Sequence, residues 1–146
     1  MFDEVSPDKP ITDYMTARKD SLPALVDIAF TASSRNVKKI DELISLTTSP
    51  DSITRYWAAQ GCLVLGKDAS PAQDALTKLL ADKHSAIRVT AAQALVAIGK
   101  KKEGLSALLA ELKKELNEYS QQNVINALTT LDALDDIPRQ WVDETL

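Results

Sequence analysis

The segment from Asp51 to Gly66 returns 33 residues later as the segment from His84 to Gly99, identical at Ser52/Ser85, Arg55/Arg88, Ala58/Ala91, Ala59/Ala92, Gln60/Gln93 and Gly66/Gly99. The same ungapped step carries Ala94-Leu95 to Ala127-Leu128 and, backwards, Ala58-Ala59 to Leu25-Val26. A fixed period of this length means stacked supersecondary units, each unable to bury its apolar face alone. Upstream of each copy, Leu43, Leu76 and Leu109 form one apolar row and Leu46, Leu79 and Leu112 another. The pattern predicts two helices per repeat and an all-α solenoid of three helix pairs plus a leading helix.

Punctuation sets the helix ends. The leading helix opens at Ser21, with Pro23 in its first turn, and stops at Ser33-Ser34. The next pair spans Val37 to Thr47 and Ser52 to Leu65, with Gly66 as a C-cap. In the middle pair, Ser70 and Gln73 have capping-box spacing around Pro71 and the helix ends near Ala81; its partner runs from Ala86 to Ile98, before Gly99 and Lys100. The last pair is expected over Glu103 to Leu116 and Tyr119 to Leu134. This divides the chain into a linker or strap over 1–20, a repeat domain over 21–135 and a capping tail over 136–146, with Trp141 and Val142 as the tail's apolar contacts.

Composition supports the same class. With 45% hydrophobic and only 5% aromatic residues, and no long period-two alternation, no sheet is expected. A formal net charge of −4 provides no strong field for phosphate backbones or anionic membranes, and Lys100, Lys101, Lys102, Lys113 and Lys114 are interleaved with Glu103, Glu111, Glu115 and Glu118. Neither a nucleic-acid nor a membrane partner is expected. The chain has neither a run long enough for a membrane span nor a signal peptide's basic and apolar regions, and it stops just after a helical repeat, as expected of a piece of a longer protein.

Helical phase turns the repeat into a surface. On the second helix of the middle pair, Ile87, Ala91, Ala94, Leu95 and Ile98 form one buried arc and Val89, Ala92 and Val96 another. Ala86, Thr90, Gln93, Ala97 and Lys100 remain as an outward ridge. The 33-residue step aligns that ridge with Ile53, Trp57, Gln60, Val64 and Lys67 before it and with Tyr119, Asn123, Asn126, Thr130 and Ala133 after it, and extends the row of Gln60, Gln93 and Asn126 back to Asp27 on the leading helix. Trp57, Gln60, Gln93, Tyr119, Asn123 and Asn126 are therefore the candidate partner-binding residues. Trp57 has two readings, a residue covered by an adjacent helix or parent enzyme and a platform on which a ligand stacks. Arg55 and Arg88 point into the apolar arc and need acceptors, which Asp51 and Asp82 in the preceding turns are placed to provide as structural ion pairs.

Asp82 followed by Arg88, Ala91-Ala92, Ala94-Leu95 and Gly99 resembles the HEAT repeat family, whose helix pairs stack into an armadillo-like α-solenoid and serve mostly as scaffolds. Arg55-Tyr56-Trp57-Ala58-Ala59-Gln60-Gly61, with Ile11-Thr12-Asp13-Tyr14-Met15 upstream, resembles the C-terminal helical extension of some bacterial sulfatase-like hydrolases. That second resemblance implies an accessory domain of an exported or periplasmic enzyme. The sulfatase signature, a Cys or Ser followed by x-Pro-x-Arg, is absent, since Cys62 precedes Leu63-Val64-Leu65-Gly66.

No catalytic residue, metal or cofactor is expected. His84 is the chain's one histidine and reads as an exposed turn residue; Asp132, Asp135 and Asp136 lack an EF-hand loop's pattern; Cys62 reads as a small buried hydrophobe. The expected function is that of a non-catalytic interaction module with either an upstream catalytic domain or another protein as partner, and possibly a glycan. The alternative is a free-standing adaptor.

Overall fold

A computed structural model describes residues 22–114 and 118–130, the side chains of Glu118 and Tyr119 excepted. Among them are seven α-helices and no strand: α1 (Leu22–Ser33), α2 (Ile40–Leu46), α3 (Ser52–Leu65), α4 (Gln73–Leu79), α5 (Ser85–Ala97), α6 (Lys101–Leu112) and α7 (Glu118–Thr130). Short 3-10 turns at Val37–Lys39 and Gly66–Ala72 lead into α2 and α4. The helices pair as α2/α3, α4/α5 and α6/α7, with α1 packed on α3. The expected strap, the capping tail with Trp141 and Val142, and Asp132, Asp135 and Asp136 lie outside the described residues.

Chain reversals follow side-chain chemistry. Asp51 caps α3 by accepting a hydrogen bond from the Thr54 N–H at 2.8 Å. Gly99 ends α5 at φ +99°, where a side chain would be strained; its N–H reaches the Val96 carbonyl and the Lys100 N–H the Leu95 carbonyl, at 3.0 and 2.8 Å. The expected capping box at Ser70 does not form. The chain leaves Gly66 as a 3-10 turn, and the Ser70 hydroxyl donates back to the Lys67 carbonyl instead of capping α4.

The centre of the stack is α5, which packs against α3, α4, α6 and α7. Its two apolar arcs enter two separate cores, as their phase requires. Ile87, Ala91, Ala94, Leu95 and Ile98 join Leu43, Cys62, Leu76 and Leu79. Val89 and Ala92 join Leu105, Leu108, Val124, Ala127 and Leu128. Each fully buried leucine here contributes about 1.5–3 kcal/mol relative to exposure. At the other end α1 is only partly covered: Val26 is 64% and Phe30 76% exposed, although the 33-residue step aligns Val26 with the fully buried Ala59 and Ala92.

Small residues set how closely the helices approach. A Cβ on Gly104 would lie 2.5 Å from the Ala92 carbonyl oxygen and 2.6 Å from a Val96 methyl, so α6 sits against the backbone of α5 because Gly104 has no side chain. Because the obstacle is backbone, Gly104→Ala forces the two helices apart. The expected cost is about 1–3 kcal/mol, read as a lowered urea midpoint, while Ser106→Ala on the exposed side of α6 leaves the midpoint within error.

Candidate functional site

Two features could carry function: the charged groups between repeats and the surface formed by the second helices. The charged groups are the more deeply placed of the two. Arg55 and Arg88 have side chains only 12% exposed, on equivalent turns of α3 and α5. Each donates from Nη1 to the carbonyl six residues back, Ser49 for Arg55 at 2.9 Å and Asp82 for Arg88 at 2.7 Å. Each then turns the other edge of its guanidinium to a carboxylate of the next repeat. Arg55 Nε and Nη2 meet Asp82 at 2.7 and 3.3 Å, and Arg88 Nε and Nη2 meet Glu111 at 2.7 and 2.9 Å.

This corrects the expected pairing. Asp51 does not accept from Arg55; its carboxylate is committed to the N–H and hydroxyl of Thr54. Arg88 uses the backbone carbonyl of Asp82, not its carboxylate, which faces Arg55. The pairs therefore bridge successive repeats. Glu111, read from the sequence only as one of the acids interleaved with the lysines, is the acceptor for Arg88 and is also bonded by Lys114. Its signal was faint: a glutamate three residues after the buried Leu108, on the inward side of α6.

Burial favours the neutral form of both carboxylates, but the hydrogen bonds outweigh it. Glu111 is held below the ordinary range by Arg88 and Lys114, and Asp82 by Arg55 and by the backbone N–H and ring of His84. Arg88 moves the other way: its bonds to Glu111 outweigh burial and strengthen its hold on the proton. His84 is a second correction. It is 3% exposed, not an open turn residue, and both its N–H and Nδ1 contact Asp82, at 3.0 and 3.2 Å. Cys62 is fully buried and its thiol is pushed up to about 11, which opposes a nucleophilic role. Among the described residues, no three His, Cys, Asp or Glu side chains converge as metal ligands, and no helix is long and apolar enough to cross a membrane.

The second feature is a groove of about 210 Å³ across α3, α5 and α7. Tyr56 and Gln60 line it from α3; Ala86, Val89, Thr90 and Gln93 from α5; Asn123, Asn126, Ala127 and Thr130 from α7. Four of the six candidate residues, Gln60, Gln93, Asn123 and Asn126, thus share one surface. Trp57 does not: it is half-buried against the first core, edge-on to Tyr56 at 5.7 Å, so Tyr56 lines the groove in its place. A wide indole gains more from that apolar cluster than from water. The Tyr119 side chain lies outside the described residues. None of the lining residues is charged, in a chain where 26% are. A family model of HEAT repeats matches residues 40–129, from α2 to the penultimate residue of α7. No curated protein and no solved structure matches the chain.

The ion pairs predict both a mutational and a pH effect. Arg88→Ala leaves Glu111 buried without its main partner and costs about 3 kcal/mol by urea denaturation. Because the folded-state pKa values of Glu111 and Asp82 lie below their unfolded values, this stability is complete above the ordinary carboxylate range and declines as pH falls through the depressed values. Melting curves between about pH 6 and pH 3 should show that decline, and Glu111→Gln should flatten it.

Proposed function

Because the chain belongs to the HEAT repeat family, we propose that it works as a non-catalytic interaction module holding a partner protein in the groove across α3, α5 and α7. The observation that carries this reading is the convergence of Gln60, Gln93, Asn123 and Asn126 from three successive second helices onto one uncharged surface. Gln60, Gln93 and Asn123 make no side-chain hydrogen bond among the described residues, while Asn126 accepts one from Gln122 at 2.9 Å. Amides left free to both donate and accept suit a protein surface better than a phosphate backbone does.

The partner can be a domain of a longer parent chain or a separate protein. Attachment to a sulfatase-type hydrolase rests on the sequence likeness around Arg55–Gly61 and Ile11–Met15. The fold gives Arg55 a structural role and Trp57 a core contact without any parent enzyme. The adaptor reading therefore needs fewer parts, and both readings use the same groove.

Site-specific photocross-linking tests the module. A photoreactive residue at Thr130 or Asn123 should give a discrete adduct in cells producing the protein, and one at Lys78 or Ser106, exposed on the first-helix layer, should not. Adducts from the first-helix positions alone would move the binding surface to the other side of the solenoid.

A further inference from the structure

We infer that the groove's ligand is an uncharged peptide segment in the polyproline II conformation, gripped by its main chain; this rests on the groove being the module's binding surface. Three observations converge on it. Gln60, Gln93 and Asn126 hold the same position on three successive second helices, at an exact sequence step of 33 residues. Packed helices stand about 8–10 Å apart, so the amides form a row with roughly that period. A polyproline II segment has three residues per turn and a rise of about 3.1 Å, and so presents the same backbone face about every 9.3 Å. An extended β-strand returns a side chain to the same face every second residue, about 6.7 Å, and falls out of step with the row.

The second observation is electrostatic. No Asp, Glu, Lys, Arg or His lines the groove, so a charged ligand would lose water there without gaining a counter-charge. The third concerns what the free amides can bond. A polyproline II backbone makes no internal hydrogen bonds, so its carbonyls are open to the NH2 groups of the row and its remaining N–H groups to the oxygens of Gln60 and Gln93, the Asn126 oxygen being held by Gln122. A glycan would also offer hydroxyls, but its apolar ring faces call for an aromatic platform. Of the residues that line the groove only Tyr56 is aromatic, and it packs on the first core edge-on to Trp57. Three amides at this period span roughly 16–20 Å, enough for six or seven ligand residues.

The test follows side-chain NH2 resonances of 15N-labelled protein during titration with Ac-(Pro-Pro-Ala)3-amide, a neutral nonapeptide with strong polyproline II bias. Ac-(Gly-Ser-Ala)3-amide, Ac-(Pro-Lys-Ala)3-amide and maltoheptaose serve as comparisons. The expected result is that the NH2 signals of Gln60, Gln93 and Asn126 shift with the first peptide, with an affinity unchanged between about 50 and 500 mM salt. Gln93→Ala should weaken binding about five- to tenfold. Gln121→Ala, exposed on α7 and outside the lining, should not. The inference is overturned if the flexible Gly-Ser peptide binds equally well, if the lysine peptide binds more tightly, if maltoheptaose alone shifts these signals, or if none of the probes does. Photocross-linking from Thr130 or Asn123 without polyproline binding would sink the peptide class and leave the module standing; loss of both would sink the groove.

Discussion

The stack depends on two guanidinium groups sheltered from water at the joins between repeats. Left alone, each would oppose folding, because a charge removed from water needs full compensation. Compensation comes from two repeats at once: a carbonyl of the arginine's own turn and a carboxylate of the next repeat, Asp82 for Arg55 and Glu111 for Arg88. Neither repeat can supply both parts, so a wrong rotation or register between neighbours would leave a buried cation half-satisfied. Apolar contacts between alanine-rich helices tolerate sliding; a two-edged guanidinium does not. The ladder thus fixes the geometry that lets residues from α3, α5 and α7 share one surface.

What the sequence made legible was whatever the period repeats. The 33-residue step and 3.6-residue phase identified the paired helices, the reversal at Gly99, both arcs of α5 and the shared face of Gln60, Gln93, Asn123 and Asn126. What it concealed were choices between near-equivalent neighbours in space. Asp51 and Asp82 both precede their arginines, but they are not equivalent under the step: Asp82 aligns with Ser49, and Asp51 with His84. That arithmetic was the available clue that Asp51 would serve as a cap. His84 looked exposed because it lies in a turn, but that turn is closed over by Asp82. Trp57 has the phase of Thr90 and Asn123, which line the groove, and leaves it because its size lets it reach the core.

The repeats are also less alike than their identities suggest. Ser52 and Ser85 are the same residue at the same step, yet the Ser85 hydroxyl meets that of Ser120 at 3.1 Å, while the Ser52 hydroxyl is buried without a partner among the described residues. The counterpart of Ser120 one repeat earlier is Ile87, which belongs to the first core and offers no acceptor. Identity at one position therefore does not carry its interaction with it, because the partner belongs to a different helix with its own constraints. The acceptors of the ladder show the same principle, an aspartate from a turn in one join and a glutamate from the last turn of a helix in the next.

That separation between what repeats and what does not bears on how the groove can bind. Its floor is not free surface: Val89 and Ala127 belong to the second core, and Tyr56 packs on the first. A floor made from the outer wall of two cores, held in register by the ladder, loses little conformational freedom when a ligand arrives. Hydrogen bonds to neutral amides are individually worth only about 1 kcal/mol, and they yield useful affinity only where ordering costs are already small. A rigid floor with the uncommitted amides of Gln60 and Gln93 above it meets that condition. The floor residues are fixed by packing, whereas Gln60, Gln93 and Asn126 can change without disturbing either core, so specificity in this fold is free to vary along the amide row while the groove beneath it stays the same.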